Sequence, residues 1–307
     1  MDNSESKVRM LKHVGTALLS CAMRCRCIAA AALIVITVAV SPRLAAHPAL
    51  EVQLQQLDGA IALAPENAEL LLRRAELFRL HGQLNEALND LDAVQRVGPG
   101  TANLAYHRAR LFRDMKRYED ALRLIEYYDK EHPGSPEAHF LRAGIHRELE
   151  QRERSIEAFK KGLALVTRPT PDHYIELATM QRSNGDSNAA LTTIDQGIGT
   201  LGPIISLELA AVNIALQDGL FDSALWRIDR LKAAGMQEES RLMWRARTLA
   251  KAGRGTEANA TYVAARNAIV AQSVQRQAMP ANQQILAEIE SALLKDTGSN
   301  KHEKGQQ

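Results

Sequence analysis

A small residue followed by an apolar one returns along this chain at almost constant intervals. The series runs Ala87-Leu88, Ala121-Leu122, Ser155-Ile156, Ala190-Leu191 and Ala224-Leu225, and ends in the weaker Ala258-Asn259. The step is 34 residues, and once 35. Such a period constrains the fold more than any single motif, because each short unit must bury its apolar face on the next copy of itself. Ala68 to Pro99 shows the unit. Leu71, Ala75 and Phe78 keep the i, i+4, i+7 spacing of a helix. His81-Gly82 interrupts it. Ala87, Leu88, Leu91 and Val94 mark a second apolar face, and Gly98-Pro99 closes it, since proline cannot donate the next backbone bond.

A second small slot holds Ala75, Ala109, Ala143, Ala178 and Ala246, with Val212 the exception. Two helices can cross closely only where neither side chain is bulky. The turns carry Gly82, Gly185, Gly219 and Gly253, replaced in two units by Lys116 and Glu150. In these positions the chain resembles the tetratricopeptide repeat family over six units, 68–101, 102–135, 136–170, 171–204, 205–238 and 239–272. The resemblance implies an all-α, right-handed α-solenoid of about six helix–turn–helix repeats across 68–272. It also implies a concave groove, lined by the first helices, that holds a peptide. Aromatic residues are only 4% of the chain, which suits helix pairs packed through Ala and Leu.

The array is expected to be capped at both ends. Leu50, Leu54, Leu57 and Ile61 predict a lone helix over Ala49–Ala64, within an N-terminal cap spanning 47–67. The last second helix reads as running from Thr256 towards Ala278. Leu286, Ile289 and Leu293 predict a capping helix over Ala281–Lys295, within 273–295. Residues 296–307 are polar and without periodicity, and are expected to be disordered. The prolines of Thr167–Pro171, where the one-residue excess falls, predict a bend inside the array.

Residues 1–46 read as a targeting segment. Arg24 and Arg26 precede the apolar run Ile28–Val40, and Leu44-Ala45-Ala46 follows, in the order of a secretory signal peptide. As a helix this run spans about 20 Å, short of the roughly 30 Å membrane core, which favours a cleaved signal over an uncleaved anchor. All three cysteines (Cys21, Cys25, Cys27) lie here, and their spacing fits no zinc site. An exported protein is expected, periplasmic or secreted, with membrane anchoring through this segment as the alternative. The Ala/Arg bias points to a bacterial periplasm. Without residues 1–46 the chain has 32 basic and 34 acidic residues, so its basic pI is no sign of nucleic-acid binding.

No reaction is legible. Gly197, Gly199 and Gly202 spell a dinucleotide fingerprint, but it follows a helix in a strandless pattern, where a fraying helix end is the better reading. His139 and His146 would share a helix face about 10.5 Å apart, too far for one ion. We expect neither a cofactor nor a metal, and not an enzyme. The pattern that does recur is Arg79, Arg113, Arg147 and Arg182, three residues before each turn. By the resemblance this ladder faces the groove, with Arg73, Tyr106, His107, Arg110 and Phe140 on it or its rim. Guanidinium forks there could hold an acidic or C-terminal carboxylate peptide. A second series, Arg74, Arg108, Arg142 and Arg245, precedes the small slot and reads as structural, with Asp90 the expected partner of Arg74. The expected function is a scaffold or assembly factor that binds a protein or peptide partner, with an acidic one favoured by the ladder. The alternative is the substrate-binding or regulatory subunit of an enzyme complex whose catalytic subunit is another chain.

Overall fold

The computed structural model describes residues 48–98 and 103–303, so the segment read as an export signal lies outside the described residues. Those residues form fifteen helices and no strand. They fall into two compact units that divide between Pro99 and Gly100.

The first unit holds α1 (Pro48–Leu63), α2 (Ala68–Leu80) and α3 (Leu84–Val97). Asn67 starts α2: its side chain accepts from the backbone N–H of Glu69 and Leu70 at 3.0 and 3.2 Å, satisfying two donors that a helix start leaves open. Leu71, Ala75, Ala87, Leu91 and Val94 are buried between α2 and α3. Arg74 binds these helices as expected. Its fork donates to both oxygens of Asp90 on α3 at 2.7 and 2.8 Å, and its third nitrogen donates to Asp58 on α1 at 2.6 Å. Those two carboxylates hold its proton more firmly than usual.

The second unit holds α4 (Leu104–Asp114) and α5 (Tyr118–Glu131), α6 (Pro136–Glu148) and α7 (Arg152–Leu165), and α8 (Pro171–Ser183) and α9 (Ser187–Leu201). It continues with α10 (Ile205–Gln217) and α11 (Phe221–Arg230), then α12 (Glu238–Lys251) and α13 (Gly255–Val270), and ends with α14 (Val274–Gln277) and α15 (Pro280–Glu303). Each hairpin packs on the next in chain order. The small slots are the crossings: Ala109, Ala121, Ala178, Ala190, Val212, Ala224 and Ala246 are fully covered. Ser155 fits among the alanines because its buried hydroxyl donates to the carbonyl of Ala143 at 2.7 Å.

In all six hairpins the turn needs one left-handed residue. Gly82, Gly185, Gly219 and Gly253 supply it freely, whereas Lys116 (φ 60°) and Glu150 (φ 57°) adopt it against the clash of their own Cβ. Gly197 is not part of a fraying end. The helix runs on to Leu201, and a Cβ at Gly197 would lie 2.7 Å from the ring of Tyr174. Close packing therefore explains that glycine.

Two readings near the C-terminus need correction. Helix α13 stops at Val270 rather than continuing to Ala278, because Ser273 starts a new short helix by accepting from the N–H of Arg276. The last helix continues through 296–303, where the sequence predicts disorder, since extending a formed helix costs far less than nucleating one. It caps the array through Ile285, Ile289, Ala292 and Leu293 packed on Met243, Leu249 and Tyr262, with Ile285 in place of the expected Leu286.

Candidate functional site

Phe140, Ala143, Gly144 and Arg147 fall at i, i+3, i+4 and i+7 and so share one face of α6. This face borders two adjoining hollows against α8. The first, about 270 Å³, is lined by Arg113 of α4, by that face of α6, by Phe159 of α7, and by His173, Glu176 and Met180 of α8. The second, about 430 Å³, shares Arg147, Glu176 and Met180 and continues to Glu150, Arg152, Ile156 and Thr179. The floor is apolar. Phe140 and Phe159 lie 4.8 Å apart, His173 stacks on Phe140 at 5.4 Å, and Ile156 and Met180 extend the same cluster. His173 is fixed there because its Nδ1 accepts from the N–H of Thr170, at the start of α8. Gly144 keeps the first hollow open: a Cβ there would meet nothing nearer than Arg113 Nη1 at 3.9 Å.

The rim is charged. Arg113 donates from Nε and Nη2 to one oxygen of Asp114 at 2.9 and 2.8 Å. Arg147 donates from Nη1 to Glu176 at 3.3 Å, with side chains 59% and 51% exposed, so this pair is solvated and weak.

The remaining ladder residues are elsewhere. Arg79 is buried, with Nε and Nη2 both committed to Glu76 at 2.9 and 2.8 Å, and it offers no open rung. Arg73 is exposed and pairs with Glu69 at 2.7 Å. Tyr106 is half-buried against Tyr128 at 5.2 Å, with His107 against its edge and Arg110 over its ring, so these three make a cluster of their own. Arg182 is half-buried on α8 and lines neither hollow. The sequence reading thus places Arg113, Phe140 and Arg147 in the site and misses Phe159, His173, Met180 and Ile156. One signal was available, because a glycine inside a helix costs about 1 kcal/mol against alanine and so marks Gly144.

His132, His139 and His146 recur at seven-residue steps but have separate surroundings. His132 stacks on Tyr128 at 4.4 Å, His139 lies 3.2 Å from Arg142, and His146 lies 2.9 Å from the amide oxygen of Gln151. Burial lowers the pKa of His139 and of His146. Among the described residues no group of three or more His, Cys, Asp or Glu side chains could hold a metal ion.

Six helical hairpins, small side chains at their crossings and a left-handed residue in every turn give the described residues an all-α helix–turn–helix repeat architecture that resembles the tetratricopeptide repeat. No family model matches the chain, and no curated protein matches it. Several solved structures are similar. MamA (41-end) from Desulfovibrio magneticus RS-1 is 21% identical with a TM-score of 0.42, covering 48% of this chain and 84% of its own. A tetratricopeptide repeat protein from Parabacteroides merdae ATCC 43184 is 16% identical with a TM-score of 0.45, covering 78% and 92%. PilF from Pseudomonas aeruginosa is 12% identical with a TM-score of 0.45, covering 72% and 97%. The description of the fold rests on the hairpins of this chain and not on these likenesses.

Proposed function

We propose that the chain is a non-enzymatic protein–protein interaction module that holds an extended segment of a partner in the cleft between α6 and α8. One observation carries this reading. The cleft has an apolar floor and an arginine rim, a combination suited to a peptide bearing apolar and acidic side chains. The partner is a protein, not a nucleic acid, and it meets the module outside the cytoplasm. Residues 1–46 support that location by their order of charge, apolar run and small residues.

Gly144→Leu tests the cleft, because it fills the first hollow while replacing a poor helix former. A crosslinked pull-down with the full chain should capture a partner that Gly144→Leu loses at unchanged helical content. Equal capture by both would move binding off this cleft. N-terminal sequencing of the exported protein tests the signal, with a new terminus near Ala46 expected and an intact one counting against cleavage.

A further inference from the structure

We infer that Glu176 occupies, in the free protein, the position that an acidic residue of the partner takes on Arg147. The inference rests on the cleft reading and specifies its ligand. The Arg147–Glu176 pair crosses from α6 to α8 and borders both hollows, above Met180. It is a bar across the cleft, and its geometry is that of a placeholder. Four arginines elsewhere grip both oxygens of a carboxylate, Arg74 on Asp90, Arg227 on Asp195, Arg247 on Glu288 and Arg254 on Glu257, all at 2.5–2.9 Å. Arg147 makes a single contact at 3.3 Å, which leaves most of its five N–H donors open to solvent. Glu176 has no other ion pair among the described residues.

A carboxylate arriving on a segment anchored at both sides would meet Arg147 at a better angle than Glu176 does. Displacing Glu176 would join the two hollows into one slot. Along α6 the wall of the slot runs from Phe140 to Arg147, about 10 Å at 1.5 Å per residue, which an extended chain with three residues per turn covers in about three residues at ~3.1 Å each. The occupant is therefore an extended, acidic segment of a partner protein. It carries two apolar side chains about three residues apart, one over Phe140 and Phe159 and one over Ile156, with the acid between them.

The test uses random dodecapeptides displayed on phage and selected on the full chain. Enriched peptides are then synthesised and titrated by fluorescence polarisation. An acid between two apolar residues is the expected consensus. Arg147→Ala should weaken binding about tenfold, and Glu176→Gln should strengthen it about threefold, because the competing carboxylate is gone. That opposite sign is the signature, since a merely structural pair would give weakening in both. If Glu176→Gln weakens or leaves unchanged peptides that Gly144→Leu abolishes, the placeholder idea is overturned and the cleft reading stands. Enriched peptides that Gly144→Leu binds normally, or no enrichment at all, would overturn the cleft reading and this inference with it.

Discussion

The cleft between α6 and α8 and the segment from α9 to α12 are built from the same repeat, yet they treat their arginines in opposite ways. In α9–α12 the guanidiniums each meet a carboxylate at close range. Arg227, buried on α11, grips both oxygens of Asp195 at 2.8 and 2.9 Å. Arg230 stands over Trp226 and reaches the fully buried Glu208 at 3.0 Å, while Arg241 and Arg245 share Asp229. In the cleft, Arg147 has one loose, solvated partner. The difference lies in the number of carboxylates within reach, not in the position of the arginine in the repeat. An arginine ladder read from a sequence marks places where a cation can stand, and the acids around each rung decide which stay open.

Experiments that break this comparison can be ordered by expected size. Arg227→Ala should cost about 2–3 kcal/mol in chemical denaturation followed by circular dichroism, because it removes a buried cation that faces Asp195 and Glu208. A loss below about 0.5 kcal/mol would mean that water replaces the pair without penalty. Glu150→Gly should act the other way and gain about 1 kcal/mol by relieving the left-handed turn beside the cleft.

The two glutamates Glu208 and Glu288 sharpen the contrast through pH. Burial raises the pKa of Glu208, so the folded chain keeps that proton to higher pH than the unfolded chain does. Its contribution is present at pH below the ordinary glutamate value and is lost as pH rises through the raised one. Glu208→Gln should remove that decline. Glu288 is the reverse case. The bidentate hydrogen bonds from Arg247 lower its pKa, so its contribution is present above the ordinary value and lost as pH falls through the lowered one. Glu288→Gln should flatten only the acid side, and modestly, since both side chains are partly exposed. The smallest effect is expected at Arg147→Ala, within about 0.5 kcal/mol, because that pair is solvated. A larger loss would show that the bar across the cleft is structural.

The hairpins were legible because their signals are local. Periodicity, small slots and turn residues each lie within one 34-residue unit, and so does the pairing of Arg74 with Asp90. The cleft was legible only in part. Phe140 and Arg147 lie in the recurring register, but His173, Glu176 and Met180 reach the site through the stacking of one hairpin on the next, which no period encodes. Arg79 shows the other limit. Its register matches Arg147, but Glu76 lies one turn away on the same helix and takes its fork. Glu208 was also hidden, because it fills the slot four residues before the crossing that holds Leu71, Tyr174 and Leu242 in other units.

In the second unit the main helix contacts join elements adjacent or next but one along the chain. Under tension such a structure resists chiefly through contacts between neighbouring hairpins, with the Arg247–Glu288 pair tying α12 to the last helix. A pull on its ends would peel one hairpin at a time, each releasing roughly 110–120 Å of chain at 3.3–3.6 Å per residue before its folded width is subtracted. A partner seated across α6 and α8 would bridge two hairpins, and in a force–extension trace it would appear as the one step that comes late.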